Sequence, residues 1–182
     1  MKLIYVTGNS DKFTHAKEQS ARFGIELEQK DLDITEIQSN SISNIAEDKA
    51  KKAFDIIHQP LIVSDSGWAI PALNNFPGPY MKYINQWFNA EDFLALMQDK
   101  SDRKIVLTHV VALADSRGVK LIEQKVEGYI LTKPEGSGLS INQLVVIDGQ
   151  THSIAKNNEN NIQSFDDSEV WSKVADRLKK IW

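Results

Sequence analysis

Along the chain the spacing of apolar residues changes several times, and each change predicts an element. Lys2–Val6 is a short apolar run ended by Thr7-Gly8-Asn9, which reads as a buried strand feeding a loop. From Asp11 to Phe23 the spacing is helical, with Asp11 available to cap the start and Gly24 to stop the end. Ile25–Leu32 alternates apolar and polar residues and predicts a second strand. After a polar loop, Ser41 or Ser43 can cap a helix over about Ile42–Ile57. Its inward stripe is Ile42, Ile45, Ala46, Ala50, Ala53, Phe54 and Ile57.

Pro60 introduces Leu61-Ile62-Val63, a run that suits a buried parallel strand and stops at Ser64-Asp65-Ser66-Gly67. Pro71–Pro79 reads as irregular, and Lys82–Phe88 and Glu91–Gln98 as short helices. Arg103–Ala114 and Val119–Leu131 flank a Ser116-Arg117-Gly118 turn and predict an antiparallel hairpin. Pro134–Gly138 is a loop, Ile141–Ile147 a further strand, and residues 156–168 a polar loop. A final helix over about Asp167–Ile181 buries Val170, Trp171, Val174, Leu178 and Ile181. Strands alternating with helices and then a hairpin make an α/β pattern with a mixed sheet. No repeat or linker divides the chain, so residues 1–182 are expected to form one domain.

Composition narrows the function classes. The 182 residues are 41% hydrophobic and 25% charged, which suits a globular chain and not a disordered one. Lys and Arg number 21 against 25 Asp and Glu, a net charge of −4, which argues against a nucleic-acid partner. The absence of cysteine excludes disulfides, thiolate catalysis and zinc-thiolate sites. The opening MKLIYVTGN is too short for a signal peptide, and no apolar run approaches the ~18 residues of a membrane span. A cytoplasmic protein with no membrane partner is expected.

Two segments stand out for chemistry. Thr7-Gly8-Asn9 and Asp65-Ser66-Gly67 each follow an apolar strand; if those strands are parallel neighbours, both emerge at the carboxyl edge where open α/β sheets bind ligands. The Thr7 hydroxyl, permissive Gly8, the Asn9 amide and Lys12 together favour a phosphate at a helix N-terminus, although Thr-Gly-Asn alone also reads as a capping turn. Lys49 falls on the inward stripe of the second helix, so it must snorkel outward or meet an anion. Asp65 at a strand end can hold Mg²⁺ or orient a water, or merely cap its turn, with Gly67 allowing a sharp bend. Glu36 is a loop carboxylate ahead of the Lys49 helix and by itself reads as solvated surface. His15, His58, His109 and His152 lack ligand spacing, and neither GxxxxGK[ST] nor GxGxxG occurs.

Four segments in order resemble the inosine/xanthosine triphosphate pyrophosphatases, the Ham1-like family. They are Val6-Thr7-Gly8-Asn9-Ser10-Asp11-Lys12, Glu36-Ile37-Gln38 with Asp48-Lys49-Ala50, Val63-Ser64-Asp65-Ser66-Gly67, and Ala72–Tyr80. The resemblance implies an α/β fold with a mixed elongated sheet flanked by helices, and two lobes around a central cleft. It implies a homodimer that hydrolyses non-standard purine nucleoside triphosphates, or their deoxy forms, to monophosphate and pyrophosphate with Mg²⁺. Carried over by position, Thr7, Gly8, Asn9, Lys12 and Lys49 bind the substrate's phosphates, and Ser66 and Gly67 border them. Glu36 and Asp65 bind the metal, and Asp65 and Lys12 serve catalysis.

Departures from the family pattern are as specific. Ser64 stands where the family has a second acid, and Thr14 and His15 where it has a Glu. The base-recognition segment falls on Leu139-Ser140-Ile141-Asn142-Gln143-Leu144-Val145, without its stacking aromatic or its aspartate. The later Lys-Asn-x-x-Ser-His-Arg motif falls near Asn160-Asn161-Ile162-Gln163-Ser164-Phe165-Asp166, where only Asn161 and Ser164 match and the His-Arg pair is gone. Altered base specificity is expected, or a weakly active nucleotide-binding protein on the same fold.

Overall fold

A computed structural model describes residues 2–179. The elements are β1 (Lys2–Val6), α1 (Ser10–Ala21), β2 (Glu26–Lys30), α2 (Ile42–Ile57), β3 (Leu61–Ile70), β4 (Phe76–Gly78), α3 (Met81–Trp87), α4 (Ala90–Leu96), β5 (Lys104–Asp115), β6 (Gly118–Ile130), β7 (Val145–Ile147), α5 (Ile154–Glu159) and α6 (Ser168–Lys179). Among the described residues the strands form one mixed sheet of seven, ordered β2-β1-β3-β5-β6-β7, with β4 on β3. β1 runs parallel to β2 and to β3, whereas β3–β4 and β6–β7 are antiparallel. No helix among the described residues is long and apolar enough to cross a membrane.

Two compact units divide the described residues: unit 1 covers 2–65, 109–124 and 167–179, and unit 2 covers 66–108 and 125–166. In unit 1 the central strands β1, β3 and β5 are apolar on both faces, which is why their sequence there reads as continuous runs. Leu3, Tyr5, Ile62, Val111 and Leu113 pack with Trp171, Val174 and Leu178 of α6. Their neighbours Ile4, Val6, Leu61, Val63, Val110 and Ala112 point the other way, to Ala46, Ala50 and Ala53 of α2. Unit 2 is built on one cluster, in which Trp68, Ile70, Phe93, Met97, Ile105, Ile130 and Leu144 are buried together.

Several expectations change on contact with the structure. Asn9, not Asp11, caps α1: its side chain accepts from the Lys12 N–H at 2.9 Å, so the helix begins at Ser10. That helix ends at Ala21 and Gly24 stops it as expected, left-handed at φ 72° with the Gly24 and Ile25 N–H groups donating to the Ala21 and Ser20 carbonyls; β2 is shorter than Ile25–Leu32 at both ends. Ser41 is the cap chosen for α2, through the Asn44 N–H.

The largest correction concerns β3, which does not stop at Val63 but continues through Ser64, Asp65, Ser66 and Gly67 to Ile70. Gly67 therefore makes no bend. The strand continues because β4 offers antiparallel partners to Trp68, Ala69 and Ile70, so part of Pro71–Pro79 is ordered as a strand. The hairpin is β5 and β6, joined at Ser116-Arg117. Ile141–Ile147 divides into a 3₁₀ turn over Ile141–Gln143 and the short β7. Residues 156–168 are not all loop, because Ser153 caps α5 through the Lys156 N–H at 3.0 Å. In α6 Val170, Trp171, Val174 and Leu178 are buried as expected; Ile181 and Trp182 lie outside the described residues.

Candidate functional site

The parallel pairing of β1 and β3 decides where the site lies. Their register is Ile4↔Leu61 and Tyr5↔Ile62, so Val6, the last residue of β1, is level with Val63. Beyond that point β3 carries Ser64 and Asp65 past the end of β1, where the chain leaves as Thr7-Gly8-Asn9. The two segments therefore meet at one carboxyl edge, as the short apolar runs predicted. Asp65 is nevertheless on a strand and not a loop, which holds its side chain more rigidly than a turn would.

Within Thr7-Gly8-Asn9 the polar groups hold the loop itself. The Thr7 hydroxyl accepts from the Asn9 N–H at 3.1 Å, and the Gln29 amide donates to the Thr7 carbonyl at 3.0 Å. The capping role is thus real. A Cβ on Gly8 would come within 2.8 Å of the Asp31 carboxylate, so this loop and the Asp31 side chain approach closely. Asp31 was not singled out by the sequence, because nothing local marks a carboxylate that acts across β1 and β2.

The four charged residues form two ion pairs in unit 1. Lys12 Nζ lies 4.0 Å from Asp65 Oδ1, and the Asp65 side chain is 25% exposed. Lys49 Nζ lies 2.5 Å from Glu36 Oε1, with Lys49 22% and Glu36 51% exposed at the side chain. Lys49 has therefore met an anion, and Lys52 donates to the Thr35 carbonyl at 2.9 Å, so α2 fastens the Glu36 loop at two points. Ser66 and Gly67 follow Asp65 on β3 and belong to unit 2.

Ser64 hydrogen-bonds the hydroxyl of Tyr5, whose own ionisation burial pushes up. Beside them lies a set the sequence did not assemble. His15 Nε2 is 2.9 Å from Asp167 Oδ2, and His109 Nδ1 is 3.8 Å from Asp167 Oδ1. The hydrogen bond to Asp167 holds the His15 pKa above its usual value, whereas burial lowers that of His109. The three residues come from distant parts of the chain, and spacing could not have linked them.

No group of three His, Asp or Glu side chains among the described residues converges as a metal cage. Mg²⁺, however, usually binds through one or two carboxylates and the substrate's own phosphates. Asp65 and Glu36 are hard oxygen ligands of the kind that mode uses, and both side chains reach solvent.

Residues 3–164 match the Ham1 family. This chain belongs to the Ham1 family. It is 35% identical over 158 residues to a dITP/XTP pyrophosphatase of Methanopyrus kandleri, covering 86% of this chain and 84% of that protein. A dITP/XTP pyrophosphatase of Saccharolobus solfataricus is 31% identical, covering 86% and 82%. Among solved structures, a HAM1 protein from Coxiella burnetii superposes with a TM-score of 0.79 at 20% identity, covering 99% of both chains. The Staphylococcus aureus Ham1 protein superposes with a TM-score of 0.78 at 17% identity, over the full length of both.

Of the two motif segments in unit 2, the first has lost its aromatic and aspartate, and the second keeps Asn161 and Ser164 but not the His-Arg pair. Leu139 is exposed, and Gln143 folds back to the Gly138 carbonyl at 2.9 Å. Ser164 is buried and bonds the Asn157 amide at 3.2 Å, which also reaches Gln150 and the His152 carbonyl. Asn161 is exposed in a left-handed conformation, φ 56°. Ser164 is thus an internal strut of unit 2.

Proposed function

We propose that this chain is a nucleoside triphosphate pyrophosphatase that cleaves between the α and β phosphates of non-standard purine nucleotides. The observation that carries the reading is the Lys12–Asp65 pair at the shared carboxyl edge of parallel β1 and β3, in a chain whose relatives are named dITP/XTP pyrophosphatases. A triphosphate bears about four negative charges, and water attacks its phosphorus only when that charge is offset. The N-terminus of α1 with Thr7, Gly8 and Asn9, together with Lys12 and Lys49, supplies positive potential for the phosphate chain. Ser66 and Gly67 border it. Lys12 also steadies the negative charge that develops on the leaving pyrophosphate.

Asp65 and Glu36 would hold Mg²⁺, which would supply further neutralisation of the triphosphate. Asp65 orients the attacking water. The water oxygen bonds to the α phosphorus, the α–β bridging bond breaks, and the displaced proton leaves through the carboxylate to solvent. The products are nucleoside monophosphate and pyrophosphate. The working form we propose is a homodimer, for which the exposed Tyr83–Trp87 stack on α3 offers an apolar surface.

Base preference is the point of departure from the relatives. Without the aromatic, aspartate and His-Arg positions, hydrogen-bond discrimination between purines is weak, and related bases are turned over within about a hundredfold of one another. A second reading, nucleotide binding without turnover, is favoured by one observation: the usual acid before Asp65 is replaced by Ser64, tied to Tyr5. A pyrophosphate-release screen over ordinary and deaminated nucleoside triphosphates with Mg²⁺ decides. The proposal expects pyrophosphate from at least one nucleotide. Saturable binding with no product supports the second reading, and orthophosphate as the sole product contradicts both.

A further inference from the structure

His15, Asp167 and His109 have no assigned role, and their arrangement is not symmetrical. Asp167 immediately precedes α6 and is only 14% exposed at the side chain. One of its oxygens bonds His15, which is 44% exposed; the other faces His109 at 3.8 Å, which is 19% exposed. A buried carboxylate requires a cationic or hydrogen-bonding partner. The hydrogen bond to Asp167 raises the pKa of the more exposed His15, and Glu18 acts in the same direction. Burial lowers the pKa of His109, and Lys12 and His15 act in the same direction while Asp167 opposes them.

His15 lies three residues after Lys12 on α1, so the two side chains share one face of the helix. Lys12 leads from that face to Asp65, and the Tyr5 hydroxyl feels both Asp65 and Asp167. The two carboxylates and the face of α1 thus belong to one electrostatic neighbourhood within unit 1. A half-exposed imidazole held by a carboxylate on the Lys12 face has more use for a polyanion than for packing, since the apolar contacts of α1 run through Phe13 and Ala16.

We propose that His15 is a further phosphate-binding residue, acting beside Lys12, with Asp167 as the positioning residue that fixes its ring and its charge. This rests on the polyphosphate reading of the site. The bland alternative is that Asp167 only caps α6 and latches it to α1, which would govern stability alone.

The test is the pH dependence of KM for pyrophosphate release, compared among wild type, His15→Gln, His15→Lys and Asp167→Asn. The terminal phosphate of the substrate titrates identically for all four, so differences belong to the protein. The imidazolium is lost as pH rises through the His15 pKa, so wild-type KM should rise about tenfold from roughly pH 6 to 8. His15→Gln should show the high KM throughout, His15→Lys the low KM throughout, and Asp167→Asn should move the rise to lower pH. His15→Gln retaining the wild-type profile would overturn the proposal, as would an Asp167→Asn change confined to melting temperature. If wild type releases no pyrophosphate, the proposed reaction fails. Calorimetric titration with inorganic tripolyphosphate over the same pH range then still decides on His15 by the same comparison.

Discussion

The two units treat their polar side chains differently. In unit 1 the candidate site residues and their neighbours are charged, partly exposed and paired across charge: Lys12 with Asp65, Lys49 with Glu36, His15 with Asp167. In unit 2 the polar residues of the corresponding motif segments bond to their own neighbours. Gln143 bonds Gly138, and Asn157 gathers Gln150, His152 and Ser164. Groups already satisfied by the fold gain little from a ligand, whereas solvent-accessible charges gain from a polyanion. Under the proposed function, phosphate binding and base reading would be separable here.

That contrast can be broken most directly at Asp65. Asp65→Asn keeps the size of a side chain that is largely within its strand but removes its charge. Pyrophosphate release is expected to fall by about a thousandfold or more with melting temperature nearly unchanged. A variant that remains active would detach the site from this edge of the sheet. In unit 2, Phe93→Ala removes a ring that is fully buried among Phe76, Phe88 and Met97, and should cost about 3–5 kcal/mol in denaturant unfolding.

Removing one ammonium is a smaller step. Lys12→Ala or Lys49→Ala should raise KM for nucleoside triphosphate about ten- to a hundredfold, since each loses a charged contact and frees a carboxylate that repels phosphate. Unfolding free energy should barely change, because these pairs are partly exposed. Asn157→Ala tests the opposite property. It leaves Ser164 without its partner and should cost about 1–3 kcal/mol of stability, without a matching change in KM for tripolyphosphate.

The smallest effect lies at the β5–β6 turn. Arg117 holds the Asp115 carboxyl below its usual pKa through a 2.7 Å contact. A depressed carboxylate contributes stability above its unfolded pKa and loses it as pH falls through the folded value. Arg117→Gln should therefore lower melting temperature slightly at neutral pH, and the gap from wild type should close in acid.

Much of unit 1 was legible in the sequence because its elements are set by local pattern. The α2 stripe runs from Ile42 to Ile57 as spaced, and the apolar β1 and β3 runs pair in parallel as their composition implied. The hairpin was legible from its glycine turn. What escaped depended on partners distant in sequence. β3 runs on through Ser64–Gly67 because β4 pairs with it, and four successive small or polar residues give no local sign of that. Asn9 outcompetes Asp11 as the cap because β1 ends at Val6 and fixes where the helix can start. Likewise Asp31 beside Gly8, and Asp167 between two histidines, are meetings of remote segments. The four charged residues singled out by the sequence do pair, Lys12 with Asp65 and Lys49 with Glu36, but spacing could not say who meets whom.

The claim that the lysines of unit 1 are there to hold a chain of phosphates is tested most directly without any base. Inorganic tripolyphosphate with Mg²⁺ should be titrated calorimetrically into wild type and into the Lys12→Ala/Lys49→Ala double variant. The account predicts saturable binding to wild type, within about tenfold of the affinity for a nucleoside triphosphate, and a loss of about a hundredfold or more in the folded double variant. Equal binding by both proteins would contradict it.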